Sequence, residues 1–321
     1  FIMNYLEFNK NKLISLRTIA PLFFLIILLI IFGSLNPRFV SSTNFSTLLR
    51  QSSILLIISL ASNFVILMGS IDLSVGATVT LAGVVAALLL GKVGMFVLII
   101  GPLVGLLVGL LNGFICVIGK IPSFLTTLGT MSILTGVSLI ISKGTPIPIR
   151  TSWFIDLANA RILGNIANIF FWAMFMYFIC IFIQFKTRFG RYIFAVGGNE
   201  LVASLSGVPV KWVKIMTFML AGLISGLAGV LLTSRIGSAS TQMGEPFVME
   251  SIAAVVMGGT ALTGGTGGIH RNILGVIVIA VLSNGMDVIG VHPYIQTLIK
   301  GMVIILSVAF SMDRSRIVIV K

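Results

Sequence analysis

The chain has 321 residues, 57% of them hydrophobic and only 9% charged, with a formal net charge of +13 from 21 Lys and Arg against 8 Asp and Glu. Soluble domains carry about 25% charged residues, and here no polar stretch is long enough to form one, so a single membrane-embedded domain over residues 1–321 is expected. The basic excess does not point to nucleic acid, because the Lys and Arg residues fall mostly between apolar runs, where the positive-inside effect puts them.

Apolar runs near 20 residues long, each able to cross a bilayer core of about 30 Å as a helix, predict an all-α integral membrane protein of about ten transmembrane helices. The first covers residues 19–35 and is followed by Asn36-Pro37-Arg38, which reads as a span and not as a cleaved signal peptide. The second covers 48–68. The stretch Gly69-Ser70-Ile71-Asp72-Leu73-Ser74-Val75-Gly76 then leads into a third span over 74–90. A carboxylate between two apolar spans is costly unless solvated or paired. Asp72 or Ser74 can cap the third helix; the functional alternative makes them a gate at the inner end of a pathway.

The fourth span, 95–118, carries Gly101, Gly105, Gly109 and Gly113 on one face, a spacing that lets a neighbouring helix approach closely. The fifth covers 124–142. A longer loop follows, with Thr145-Pro146-Ile147-Pro148 and Trp153, and the sixth span is 169–185. Residues 186–210 form the longest basic loop. Within it Gly197-Gly198 breaks the chain, Asn199 offers an N-cap, Glu200 complements the dipole of a two-turn helix, and Gly207 stops it. That helix either lies on lipid headgroups or docks a cytoplasmic partner.

The seventh span, 213–233, repeats the small-residue spacing with Gly222, Gly226 and Gly229. The eighth, 247–262, is entered past Glu245 and Glu250 and leads into a glycine-dense stretch, 258–268. That stretch lacks the preceding strand and the Lys of a phosphate loop, and reads as a tight turn where helices crowd. The ninth and tenth spans are 273–289 and 294–310. Lys300 in the tenth is expected to pair with Asp287 on the ninth, or to snorkel. Cys116 and Cys180 read as buried small hydrophobes, and His270 and His292 have no metal-ligand spacing.

Placing the N-terminus inside puts 13 basic residues on the inner side, including Lys10, Lys12, Arg17, Arg314, Arg316 and Lys321, against 7 on the outer side. Both termini are therefore expected in the cytoplasm. Asn112-Gly113 with its downstream Val-Ile-Gly, Pro122 and Thr127-Leu128 matches Asn284-Gly285 with Val288-Ile289-Gly290, Pro293 and Thr297-Leu298, in order. The first copy turns at the inner face and the second at the outer face, which makes halves 48–142 and 213–310 an inverted repeat of the kind found in alternating-access transporters.

Ile71-Asp72-Leu73-Ser74-Val75-Gly76, Thr187-Arg188-Phe189-Gly190-Arg191 with Gly197-Gly198-Asn199-Glu200, and Ala253-Ala254-Val255-Val256-Met257-Gly258-Gly259-Thr260, joined by Asn284-Gly285 and Pro293-Tyr294, carry a resemblance over nearly the whole chain. The chain resembles the ribose-type permeases of bacterial ATP-binding-cassette importers, a family that also carries other sugars and the furanosyl signal autoinducer-2. The resemblance implies a permease of the bacterial inner membrane, working as a homodimer or a paired heterodimer. Its energy would come from cytoplasmic ATP-binding subunits that hold ATP and Mg, with no cofactor on this chain, and its cargo from a periplasmic solute-binding protein. It implies a coupling helix around Gly198, Asn199, Glu200, Leu201, Ala203, Leu205 and Gly207, with Arg188 and Arg191 beside it. Asp72, Ser74, Asn112, Glu250 and Asn284 are the expected pathway or gate residues. The favoured cargo is a monosaccharide, with nucleosides or branched-chain amino acids as alternatives; Arg271-Asn272, where the family often has Gly-Thr, blurs a finer choice. An ion-coupled secondary transporter would need a midplane pair such as Asp287 with Lys300. An integral-membrane enzyme would need convergent catalytic groups, and the sequence offers no cluster of carboxylates, His or Cys for one.

Overall fold

The structure is a computed structural model, and it describes residues 20–311. Helices occupy all ten stretches predicted to span: α1 (Ala20–Leu35), α2 (Ser42–Leu67), α3 (Val75–Val93), α4 (Val97–Ile118), α5 (Ser123–Ser142), α7 (Asn168–Lys186), α10 (Val210–Ile236), α11 (Pro246–Met257), α12 (Ile269–Val288) and α13 (Pro293–Ser311). Six stretches are long and apolar enough to cross a membrane: α2, the α3–α4 run Val75–Ile118, α5, α7, α10 and α12. The described chain also holds three short helices, α6 (Ser152–Asn159), α8 (Arg188–Gly198) and α9 (Glu200–Leu205), 3-10 turns at Pro37–Val40 and Gly94–Phe96, and two small antiparallel pairs. In these, β1 (Ile147–Pro148) joins β4 (Ser238–Ala239), and β2 (Arg161–Leu163) joins β3 (Ile166–Ala167).

Three of these elements depart from the sequence reading. The loop after α5 holds α6, because Phe154 and Ala158 bury against the end of α10, where Ser234 Oγ donates to the Phe154 carbonyl at 2.5 Å. The 186–210 loop is almost wholly helical. Its first half, α8, buries Ile193 and Val196 and exposes Arg188 and Arg191. The eighth predicted span stops at Met257, since Gly258 and Gly259 turn the chain, and twelve residues of helix rise only about 18 Å.

Residues of α2 from Ser53 to Leu67 are buried all round, and so are most of α10 from Ala221 to Ser234. A helix apolar on every side belongs in the middle of a bundle, and these two form the centre of the main core with α3, α7 and α12 around them. α4 packs its glycine face on α10: Gly105 meets Gly222, Gly101 meets Gly226, and Gly109 and Gly113 meet Phe218 and Ile215. The opposite face of α4, with Leu103, Leu107, Leu111 and Phe114, is exposed, as are faces of α1, α5, α7 and α13. Exposed aliphatic helices around a buried core are what lipid as solvent requires.

The inter-helix segments gather at two ends. At one, Gly69, Gly197, Gly264 and Gly265 touch, and the Gly265 N–H donates to the Leu67 carbonyl at 2.9 Å. At the other, β1 meets β4 and Asn36 donates to the Val288 carbonyl at 3.0 Å. We call the first the coupling end and the second the far end. The positive φ of Gly264 and Gly265, +81° and +71°, lets the glycine-dense stretch fold back onto α2 and α8 as the crowded turn expected. Lys300 apart, the described Lys and Arg divide seven toward each end, several of them in the terminal turns of the spanning helices, so the expected excess rests on Lys10, Lys12, Arg17, Arg314, Arg316 and Lys321, which lie outside the described residues.

Candidate functional site

Past α2 the chain runs extended up the first turn of α5. The Ile71 N–H donates to Ser123 Oγ at 3.2 Å and the Leu73 N–H to Thr127 Oγ1 at 3.1 Å. These hydroxyls replace the partners that a helix would have supplied, as non-helical backbone inside a membrane protein requires. Asp72, 7% exposed, accepts from the Ser74 N–H at 2.8 Å and from Ser74 Oγ at 2.6 Å. Because that hydroxyl donates to the carboxylate, it accepts from Asn112 Nδ2 at 2.8 Å. Three of the five predicted gate residues therefore form one chain, Asn112 to Ser74 to Asp72, linking α4 to the entrance of α3. Ser74 is the N-cap residue of α3 but caps nothing with its side chain. Asn112 Oδ1 and Thr126 Oγ1, both buried beside this chain, have no hydrogen-bond partner.

From the far end a second segment, residues 237–245, runs inward to the same depth. The Gly244 N–H donates to Thr80 Oγ1 at 3.1 Å. A Cβ on Gly76 would stand 2.5 Å from the Gly244 carbonyl oxygen and 2.5 Å from Val248 Cγ2, so the first turns of α3 and α11 touch backbone to backbone. Each helix is thus preceded by a non-helical approach, one from each end of the bundle, and the two meet inside.

Glu250 and Asn284 do not join this meeting point. Glu250 on α11 accepts from Lys300 Nζ at 2.7 Å, both side chains largely buried. The expected Asp287–Lys300 pair does not form: α13 lies against α11 more than against α12, and Asp287 accepts instead from Gln296 Nε2 at 2.9 Å. Asn284 sits toward the far end, where its Oδ1 accepts from Asn44 at 2.8 Å and its amide reaches Gln51 at 3.4 Å. Asn112 and Asn284 thus hold their helices through unrelated partners.

At the coupling end, Thr187 caps α8 by accepting from the Gly190 N–H at 3.1 Å, and Asn199 caps α9 by accepting from the Val202 N–H at 3.0 Å. Gly198 closes α8, and Gly207, at φ +83°, turns the chain after α9. Ala203 is the buried anchor of α9. Leu201 and Leu205 are 70% and 81% exposed, with Val202 beside them. Glu200 is held by Lys214 of α10 at 2.5 Å. The result is a short helix fixed at its base with a bare apolar crest, flanked by the exposed cations Arg188 and Arg191.

Other polar contacts inside the bundle are not among the sequence-predicted site residues. Asn272 donates to Ser59 Oγ at 2.8 Å, Gln184 Oε1 accepts from the Ile269 N–H at 2.7 Å, and Thr260 Oγ1 accepts from the Gly268 N–H at 3.1 Å. Their signal is an isolated amide or hydroxyl in an otherwise apolar helix, which marks burial against a polar partner without naming that partner. Both cysteines are free, Cys180 buried and Cys116 half-buried.

A family described as branched-chain amino acid transport system / permease component matches residues 44–308. Over 312 residues the chain is 38% identical to the ribose import permease protein of Bacillus subtilis, covering 94% of each. It is 36% identical over 291 residues to the D-allose transport system permease protein of Escherichia coli, covering 89% of each. It is 35% identical over 336 residues to the galactose/methyl galactoside import permease protein of Haemophilus influenzae, covering 96% of this chain and 97% of that one. No solved structure matches.

Proposed function

The chain belongs to the branched-chain amino acid transport system / permease component family, and we propose on that footing that it is the membrane-spanning permease subunit of an ATP-driven importer of a monosaccharide. The observation that carries the reading is full-length similarity to permeases named for ribose, D-allose and galactose, at 35–38% identity. Its setting is the bacterial inner membrane, crossed many times. Energy comes from separate ATP-binding subunits that carry ATP and Mg²⁺, cargo from a periplasmic solute-binding protein, and the working unit holds a second permease copy or a paralogue.

The geometry supports the coupling role of α9. Leu201, Val202 and Leu205 stand bare on α9 among the described residues, and the helix's capped base, anchored by Ala203, suits transmission of a push. A coupling end in the cytoplasm, with both termini there, agrees with ten crossings and with the terminal basic residues.

An inverted repeat organises the halves. In the register that aligns Asn112 with Asn284, α2 to α5 fall in order on α10 to α13, and α4 starts opposite the first residue of α12. In that register Gly76 falls opposite Val248, and the contact between these two supports a pseudo-two-fold axis near the N-termini of α3 and α11. Asp72, Ser74 and Asn112 brace that point, and we assign them to gating. The Asp287–Lys300 pair that an ion-coupled mechanism would use does not form, since the two are separately partnered.

The test is reconstitution of the chain with its ATP-binding subunits and binding protein. ATP hydrolysis stimulated by the sugar-loaded binding protein is expected, and the permease alone hydrolyses nothing. Stimulation by a loaded amino-acid-binding protein in place of a sugar-binding one would overturn the cargo assignment.

A further inference from the structure

Near the coupling end a groove of about 340 Å³ opens between α4, α7, α8 and α10, lined by Leu106, Ile183, Phe189, Met216, Leu220 and Leu223 among others. The one polar lining residue is Thr187, and its hydroxyl is already committed, donating to the Ile183 carbonyl at 2.6 Å and accepting from the Gly190 N–H. An occupant therefore finds no hydrogen bond inside, only hydrocarbon. Two of the walls, α4 and α7, carry exposed apolar outer faces, leucine-rich on α4 and phenylalanine-rich on α7, so the groove opens to acyl chains. The lining residues Thr187 and Phe189 have basic neighbours along the chain. Lys186 is the last residue of α7, Arg188 the first of α8, and Arg191 stands one turn on. All three are exposed, and none has an acidic partner among the described residues, whereas Lys214 nearby is taken by Glu200. Trp212, 67% exposed and one turn before Met216, sits where an indole marks the membrane boundary.

We infer that this groove is a site for an anionic phospholipid, with one acyl chain along the apolar walls and the phosphate between Lys186, Arg188 and Arg191. Basic residues at the cytoplasmic rim of a cleft between spanning helices form the pattern that recognises anionic headgroups. A lipid held here ties α7 to α8, directly before α9, so headgroup charge would tune how a partner's motion reaches the bundle. The inference rests on the coupling end being a membrane–water boundary and not on the cargo.

The test uses the full chain in nanodiscs, with Trp153→Phe and Trp172→Phe leaving Trp212 as the sole indole. Phosphatidylglycerol brominated on its acyl chains is compared with equally brominated phosphatidylcholine, each as the minor lipid. Half-maximal quenching of Trp212 is expected at roughly a tenth of the lipid fraction that phosphatidylcholine requires. The preference should vanish in K186Q/R188Q/R191Q, or shrink in K186Q alone should the triple variant not fold. Equal quenching by the two lipids in the parent protein, or a full preference kept by the folded variant, overturns the site.

Discussion

Ser74 is the residue on which the interior turns. Its hydroxyl is both acceptor from Asn112 and donor to Asp72, so one oxygen joins α4, the extended linker and the start of α3. In Ser74→Ala the Asn112 amide, whose Oδ1 is already unpartnered, loses its acceptor as well. Leaving such a group buried and unsatisfied costs about 1–3 kcal/mol. The detergent-solubilised variant should unfold at a lower temperature; an unchanged midpoint would show that the chain of contacts does not stabilise the bundle. Glu250 and Lys300 are the second residue-level case. Lys300→Met alone strands a largely buried carboxylate, while Glu250→Gln with Lys300→Met removes both charges. A double-mutant cycle on thermal stability should return a coupling of about 0.5–3 kcal/mol, and additive single effects would mean that the pair is incidental. The sequence reading singled out Asp72 and Ser74 because a carboxylate between apolar spans is costly, Glu250 as flanking a later span entrance, and Asn112 through the repeated Asn-Gly. It missed Lys300's partner because sequence distance says nothing about which of two helices α13 leans on.

At the scale of elements, the α4–α10 contact is the closest in the bundle, and its cause is four glycines on one helix facing Gly222, Gly226 and the backbone of Phe218 and Ile215 on the other. Gly109→Leu puts a branched side chain where the Phe218 carbonyl stands, with no flexible neighbour to give way. It should yield little monodisperse protein on size exclusion, and normal yield would contradict the packing. The α9 crest makes the opposite prediction. Glu200→Lys loses the Lys214 pair and reverses a charge at a helix N-terminus, an exposed site where about 0.3–1 kcal/mol is at stake. The fold should survive and uptake should fall; unimpaired uptake would argue against α9 as the transmitter. Span positions were readable because twenty apolar residues leave few alternatives. The length of α11 was not, since the run 247–262 stays apolar to Leu262 while two glycines bend the backbone out of the helix at Gly258. Nor was α8, whose helix is amphipathic and packs on α2 and α10 as well as on the adjoining α7, contacts with distant helices that a linear reading does not give.

Over the whole molecule, α3 and α11 both start inside the bundle, and those starts touch at Gly76 and Gly244, which the proposed inverted repeat assigns to opposite halves. Motion of one half against the other would open this contact toward one face at a time, which is what alternating access asks of an inverted repeat. The proposed repeat rests on the matched Asn-Gly and Pro motifs, whereas the contact between the starts of α3 and α11 needed coordinates. The account stands on the energy entering through α9, and the decisive measurement is accumulation of radiolabelled monosaccharide in proteoliposomes holding the permease, its ATP-binding subunits and binding protein. Accumulation should require enclosed ATP on the coupling side and be lost in Leu201→Asp with Leu205→Asp while the permease stays folded. Accumulation driven by a proton gradient without nucleotide, or undiminished by those two changes, would contradict it.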